Sequence, residues 1–276
     1  MQIGFNFTLN GTLEMVQRMV KERQIDYCEL LIDNFFHFPV KELVDAFDCP
    51  VAFHIMFSKH LENDTEALQQ FAKNVRTFID AMNPVYVSDH LLCFSHNDRR
   101  LLHLAEIDYG EYDSVRRRVE WWQDALGTRL YLENYPSIME GGWEAPAFYE
   151  RLCKDTGAGV LFDASNAIVA KHNCGAPVDL WKDVIASTRH FHVAGYGPSF
   201  IEPNVIVDTH DRELAPDTIA FLTDMRDVFD KPGATITYER DFEIDYDSIS
   251  RDLQRLHDIF PRTQEKAHDM LVTSAS

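Results

Sequence analysis

No pair of cysteines in this chain of 276 residues has CxxC spacing, and the five present, Cys28, Cys49, Cys93, Cys153 and Cys174, fall at irregular intervals. An odd count without a pairing pattern excludes a disulfide framework and fits reduced thiols in a cytoplasmic protein. No apolar run approaches the roughly 20 residues a membrane span needs. The first residues, Met1-Gln2-Ile3-Gly4-Phe5, carry no basic segment and already read as a strand, so no signal peptide is expected. Basic residues are scarce: 26 Lys and Arg stand against 45 Asp and Glu, a net charge of −19. That balance argues against a nucleic-acid partner, because phosphate backbones attract basic surfaces. Linker-like composition and internal repeats are also lacking. A single catalytic domain over residues 1–261, with a polar tail at 262–276, is the expectation.

What the sequence has is an alternation of apolar strands with amphipathic helices. Strands are expected at Ile3–Phe7, Tyr27–Ile32, Pro50–His54, Val85–His90, Leu130–Glu133, Val160–Asn166, His190–Ala194 and Ala234–Asp241. The clearest helix is capped by Asn63-Asp64 and carries Leu68, Phe71, Ala72, Val75, Phe78, Ile79 and Met82 at helical spacing. Further helices are expected from Thr12, from Pro39, across Tyr112–Leu126, Pro146–Lys154, Leu180–Ser187, Pro216–Phe229 and Tyr246–Phe260. Eight strands alternating with about eight helices is the count for a TIM barrel. Two connections, Leu91–Tyr109 and Gly195–Leu214, are longer than the roughly 2–6 residues of ordinary βα loops, which marks them as functional.

In a parallel barrel all strand C-termini meet at one mouth, and the residues at these strand ends are unusual. The candidates are His54, His90, Glu133, Asp163, Asn166, His192, Asp208, His210, Glu239 and Asp241. One ion takes about four to six ligands, so ten candidates imply two or three ions with carboxylates bridging them. Mixed imidazole and carboxylate donors suit iron, manganese or zinc better than magnesium. Blander readings apply elsewhere. His37, His60, His96, His103, His257 and His268 are taken as ordinary surface or core residues, and Cys93 and Cys174 as ordinary thiols. Asn166 and Asp89 could simply cap helices.

These residues form signatures: Ser88-Asp89-His90-Leu91, Leu132-Glu133-Asn134, Phe162-Asp163-Ala164-Ser165-Asn166-Ala167, His192-Val193-Ala194-Gly195, Asp208-Thr209-His210-Asp211-Arg212 and Tyr238-Glu239-Arg240-Asp241. Together, and in this order, they resemble the multinuclear non-heme iron-dependent oxidative enzymes, built on a xylose-isomerase-like barrel. The likeness runs to the methanobactin-biosynthesis branch, the MbnB type, through Met1–Leu9, Tyr131–Met139 and Gly233–Asp241. The resemblance implies two or three iron ions of mixed Fe(II)/Fe(III) state and dioxygen as co-substrate. It implies a ribosomally made precursor peptide (MbnA type) whose cysteines become oxazolone and thioamide groups, and a small recognition subunit (MbnC type). By the same resemblance His54, His90 and Glu133 hold one iron, and Asp163, His192 and the bridging glutamates the central one. Asn166, Asp208, His210 and Asp241 serve the catalytic iron that receives the substrate thiolate. Two alternatives remain at this point: a di- or trinuclear hydrolase or sugar isomerase on the same barrel, and a non-catalytic metal- or peptide-binding module.

Overall fold

The computed structural model describes residues 1–8, 12–96 and 99–262. Along the chain, β1 (Gln2–Phe7) leads to α1 (Leu13–Lys21), β2 (Tyr27–Leu31) to α2 (Val40–Ala46) and β3 (Val51–Ile55) to α3 (Thr65–Met82). After β4 (Val87–His90) come a hairpin, β5 (Leu92–His96) and β6 (Arg99–Glu106), and then α4 (Tyr112–Leu126). β7 (Leu130–Glu133) leads to α5 (Gly141–Thr156), and β8 (Gly159–Asp163) to α6 (Ala164–Cys174) and α7 (Lys182–Ser187). β9 (His190–Ala194) is followed by a second hairpin, β10 (Tyr196–Pro198) and β11 (Ile206–Asp208), then α8 (Pro216–Asp224) and α9 (Arg226–Phe229). β12 (Thr235–Glu239) and α10 (Tyr246–Ile259) complete the series.

Strands β1, β2, β3, β4, β7, β8, β9 and β12 close a barrel in that order, with parallel pairing throughout. The fold is therefore the expected TIM barrel. Its strands are buried on both faces, which is why they read as continuous apolar runs. One face meets the helices: Phe53, Phe162, Phe191 and Ile236 are fully buried there, each stabilising the fold by about 1.5–3 kcal/mol of apolar burial. The other face fills the lumen, and its lower half is built from tyrosine. A Cβ on Gly4 would stand 2.3 Å from the Tyr27 ring, and one on Gly159 would stand 2.4 Å from the Tyr131 ring. Only glycine leaves room for those rings.

The helices follow local rules. Asp64 accepts from Ala67 N and starts α3, which buries Leu68, Ala72, Val75 and Phe78 and ends at Asn83 with φ of 47°. Thr12 accepts from Met15 N at the start of α1, whereas Asn10 and Gly11 lie outside the described residues. Trp122 of α4 donates through Nε1 to Asp89 Oδ2 at 2.8 Å, and Ser58 Oγ donates to the same oxygen at 2.6 Å. Asp89 thus ties helix to barrel rather than capping a helix. His60 stacks on Trp122 as a buried core histidine.

Several expected boundaries move. The strand begun at Val85 starts at Val87, and Pro39 is the residue before α2 rather than its first. The strand expected to reach Asn166 ends at Asp163, whose side chain accepts from Asn166 N and opens α6. α6 itself was not expected. Residues Ala164–Ala170 are all buried, so the helix has no polar face to give a periodic signal. α5 begins a turn before Pro146, since a proline inside a helix removes a single backbone hydrogen bond and this one is buried in the packing. Both long connections fold into antiparallel hairpins over the barrel mouth. Arg262, assigned to the tail, pairs with Asp26 at 2.8 Å; the rest of the tail lies outside the described residues, as do His268 and the His103 side chain.

Candidate metal centre

Strand register assembles the site. His90 pairs with Glu133 across β4 and β7, and Asp163 pairs with His192 across β8 and β9. His54 is the penultimate residue of β3, and Glu239 ends β12. Two groups of donor atoms result, with Glu133 common to both: His54, His90 and Glu133, and Glu133, Asp163, His192 and Glu239. Within each group the donor atoms lie within 4.8 Å of one another. Glu133 Oε2 stands 3.2 Å from His54 Nε2 and 3.3 Å from His90 Nε2.

Each of the three histidines is held by its far nitrogen. Ser88 Oγ donates to Phe53 O, so it accepts from His54 Nδ1–H, 2.8 Å away. His90 Nδ1–H donates to Ile55 O at 3.1 Å, because a carbonyl can only accept. His192 Nε2–H donates to Glu29 Oε2 at 2.8 Å. Three rings thereby turn their other nitrogen toward the shared centre, the arrangement that metal-binding histidines require.

Asn166 belongs to the same floor. Its amide nitrogen donates to Asn134 O at 3.0 Å and to Glu133 Oε1 at 3.2 Å. Asn134 in turn clamps the backbone of Asp163 through two hydrogen bonds. Asp208, His210 and Asp241 belong to neither donor group but form a row beside them, with His210 Nε2 3.9 Å from Glu239 Oε2. His210 Nε2 is 2.6 Å from Asp208 Oδ2, and its Nδ1 is 2.8 Å from Asp241 Oδ2. Both ring nitrogens are engaged, so His210 would have to exchange a carboxylate for an ion. Its backbone is left-handed, with φ of 48°, and is fixed by its N–H on Gly195 O and by its carbonyl accepting from Asp241 N and Phe242 N. Asn6 Nδ2 donates to Asp241 Oδ1 at 2.8 Å.

The donor set fits a cation. Glu133 Oε2, Asp163 Oδ2, Asn166 Oδ1, His192 Nδ1, Asp208 Oδ1 and Glu239 Oε2 are all buried without a hydrogen bond. Such groups cost free energy unless something binds them. His192 Nδ1 and Glu239 Oε2 are only 2.9 Å apart and still make no hydrogen bond. Charge tells the same story. Burial, with the carboxylates of Asp208, Glu133 and Glu239, pushes the Asp163 carboxyl well above its ordinary range. Burial would lower the pKa of His54, but the Glu133 carboxylate 3.2 Å away outweighs it and raises the value to about 9. Burial likewise opposes the His192 cation, and Glu239 and Glu29 overcome it, so His192 also rises. A metal cation at this place would relieve the same repulsion.

Sequence reasoning missed Glu29, a fully buried acid in the middle of β2. Ser88, Asn6 and Asn134 fall within the signature stretches, which gave them no supporting role. A lone acid inside Tyr27-Cys28-Glu29-Leu30-Leu31 was the available signal. Above the floor lies a cavity of about 660 Å³, walled by Phe7, Leu31, Met56, Leu92, Leu104, Ile138, Ile201, Val207 and Phe242.

Fold and site together define a parallel (β/α)8 barrel carrying a polynuclear-type cluster of imidazoles and carboxylates at its catalytic mouth. The chain matches the family model of the RiPP precursor modification enzymes MbnB/TglH/ChrH over residues 3–260 and belongs to that family. Among individual relatives, a UPF0276 protein of Caulobacter sp. (strain K31) is 26% identical over 210 residues, covering 73% of this chain and 71% of that protein. A UPF0276 protein of Chromobacterium violaceum is 33% identical over 152 residues, 51% of this chain and 52% of its own length. Of solved structures, the zinc-binding IOLI protein superposes with a TM-score of 0.62 at 13% identity, covering 94% of this chain and 98% of that one. A xylose isomerase domain protein from Planctomyces limnophilus gives 0.57 at 14%, with 94% and 95% covered. At such identities the structural likeness shows the fold alone.

Proposed function

We propose that this member of the family oxidises cysteine residues of a ribosomally made precursor peptide to oxazolone and thioamide groups. The reaction uses iron and dioxygen, and a small recognition subunit presents the peptide. Family membership supports a peptide substrate. The observation that carries the metal chemistry is the set of six buried, unpaired donor atoms beneath an open cavity.

His54, His90 and Glu133 would hold one iron, and Glu133, Asp163, His192 and Glu239 a second. Asn166, Asp208, His210 and Asp241 would hold a third, nearest the substrate. When bound, iron supplies electrons to dioxygen and makes a coordinated thiol acidic, which side chains alone cannot do. The chain's own groups set the stage. Asp208 lines the cavity, and its buried, unpaired Oδ1 is the atom it would offer to the third ion. Asn6 and His210 hold Asp241 in place from two sides. The hairpins β5–β6 and β10–β11 wall the cavity with Leu92, Leu104, Ile201 and Val207, excluding water from the reacting sulfur. Phe200 and Ile201, 106% and 94% exposed on the second hairpin, offer apolar contacts to a peptide or its carrier.

Absorption spectroscopy tests the reading. Iron-loaded protein with the recognition subunit, kept anaerobic, should develop a visible band with a cysteine peptide and none with the serine analogue. The same response to both peptides, or to neither, would overturn it. No observation favours a sugar isomerase or hydrolase, for which only the shared barrel speaks.

A further inference from the structure

Beneath the metal-type floor the barrel does not revert to the branched aliphatic layers usual in such lumens. The next layer down is a hydrogen-bonded set of Glu29, Tyr86, Thr237 and His192. Glu29 is 1% exposed and 163 residues from His192, yet its Oε2 accepts from His192 Nε2–H at 2.8 Å. The Tyr86 hydroxyl donates to the same oxygen, and Thr237 Oγ1 lies 2.8 Å from that hydroxyl. Tyr27 reaches Thr237 from the other side at 2.7 Å. Glu29 is part of neither donor group; its Oε2 is taken up by His192 and Tyr86, while its Oε1 is buried without a hydrogen bond at the base of the cavity.

The three histidines differ in what holds them. His54 is held by a serine hydroxyl and His90 by a backbone carbonyl, both neutral. His192 alone rests on a carboxylate, and it alone presents Nδ1 rather than Nε2 to the centre. Presenting Nδ1 requires the ring to lie over, with its far edge anchored deep in the lumen. Without an acceptor at that depth, the ring could rotate about its χ angles and offer either nitrogen.

We infer that Glu29 is the positioning residue of the centre, fixing the His192 ring so that Nδ1 faces Asp163, Glu133 and Glu239. Tyr86 fixes the carboxylate, and Thr237 holds the Tyr86 hydroxyl in turn. The inference rests on the metal-centre reading but not on the cysteine chemistry, so a redox-inert ion can test it. Zinc is the probe. Affinity is read by competition with a chromogenic chelator, and histidine ring coordination by NMR of ¹⁵N-histidine-labelled, zinc-loaded protein. Wild type should show one histidine bound through Nδ1 with a slowly exchanging Nε2–H. Glu29→Ala should lower zinc affinity by about 10–100-fold. Glu29→Gln keeps an oxygen acceptor and should retain both the Nδ1 signature and most of the affinity.

Wild-type affinity in Glu29→Ala overturns the inference. So does equal weakening in the alanine and glutamine variants, or a wild-type His192 bound through Nε2. If Glu29→Ala does not fold, the wild-type spectrum and Glu29→Gln still decide between these outcomes. Wild type that takes up neither zinc nor iron overturns the metal centre itself, a result distinct from failure of the Glu29 role.

Discussion

Stripping the metal should leave a protein whose stability falls as the pH rises, and His54 contributes a definable part of that fall. In the metal-free chain Glu133 lies 3.2 Å from its Nε2, and the His54 pKa stands at about 9 against an ordinary 6.5. Below 6.5 both folded and unfolded chains hold the proton, and the ion pair contributes fully to stability. Between 6.5 and 9 only the folded chain holds it, so the contribution drains away, and above 9 it is gone. The full difference is roughly 3 kcal/mol. For a domain of this size that corresponds to a fall in Tm of about 5–10 °C. The assay is thermal unfolding of chelator-treated protein at pH 6.5 and pH 9.5, beside the same protein loaded with zinc and beside Glu133→Gln. A bound cation replaces the proton, so the zinc-loaded protein should lose this part of the decline. Glu133→Gln should lose it too, because burial alone lowers the His54 pKa. A decline of the same size in all three samples would refute the reasoning.

Glu133→Ala should cost more bound metal than Asn166→Ala, since a charged carboxylate common to both donor groups is lost rather than a neutral amide. Equal metal content by mass spectrometry would contradict the bridging role. Gly159→Ala drives a Cβ to 2.4 Å from the Tyr131 ring and should destabilise the barrel by about 1–3 kcal/mol, read by urea unfolding. Trp122→Phe leaves Asp89 Oδ2 without its indole donor and should cost about 1–3 kcal/mol in the same assay, with metal content unchanged. In hydrogen exchange, the amides of Phe94 and Ser95, which both donate to Glu62, should be protected in the isolated protein. Rapid exchange there would mean the first hairpin closes only with a partner.

The strand ends were readable because a parallel barrel brings every C-terminal end to one mouth, so His54, His90, Glu133, His192 and Glu239 could be grouped without coordinates. The barrel count was readable because the strand bodies are short, mostly apolar segments set between amphipathic helices. What the sequence hid has physical causes. α6 is buried all round and shows no periodicity. The residues of β5, β6, β10 and β11 pair with one another rather than with the barrel, and such short antiparallel pairing leaves only a weak local pattern. Glu29 sat inside a run that reads as plain strand, and its partners lie 57 and 163 residues away. Long-range lumen contacts of this kind are set by register, which no local pattern specifies. Asp208, His210 and Asp241 were grouped from motif resemblance, and the mutual hydrogen bonding that holds His210 between two carboxylates was not readable.

Mass spectrometry of the peptide decides whether the cluster at the barrel mouth acts on peptide cysteine. A cysteine-containing precursor is incubated with iron-loaded protein, recognition subunit and dioxygen, beside samples lacking iron or oxygen. The expected product keeps its sulfur and loses hydrogen at the cysteine, forms only in the complete mixture and is abolished by Glu133→Ala. An unchanged peptide in the complete mixture, or the same product without iron, would contradict that action on cysteine.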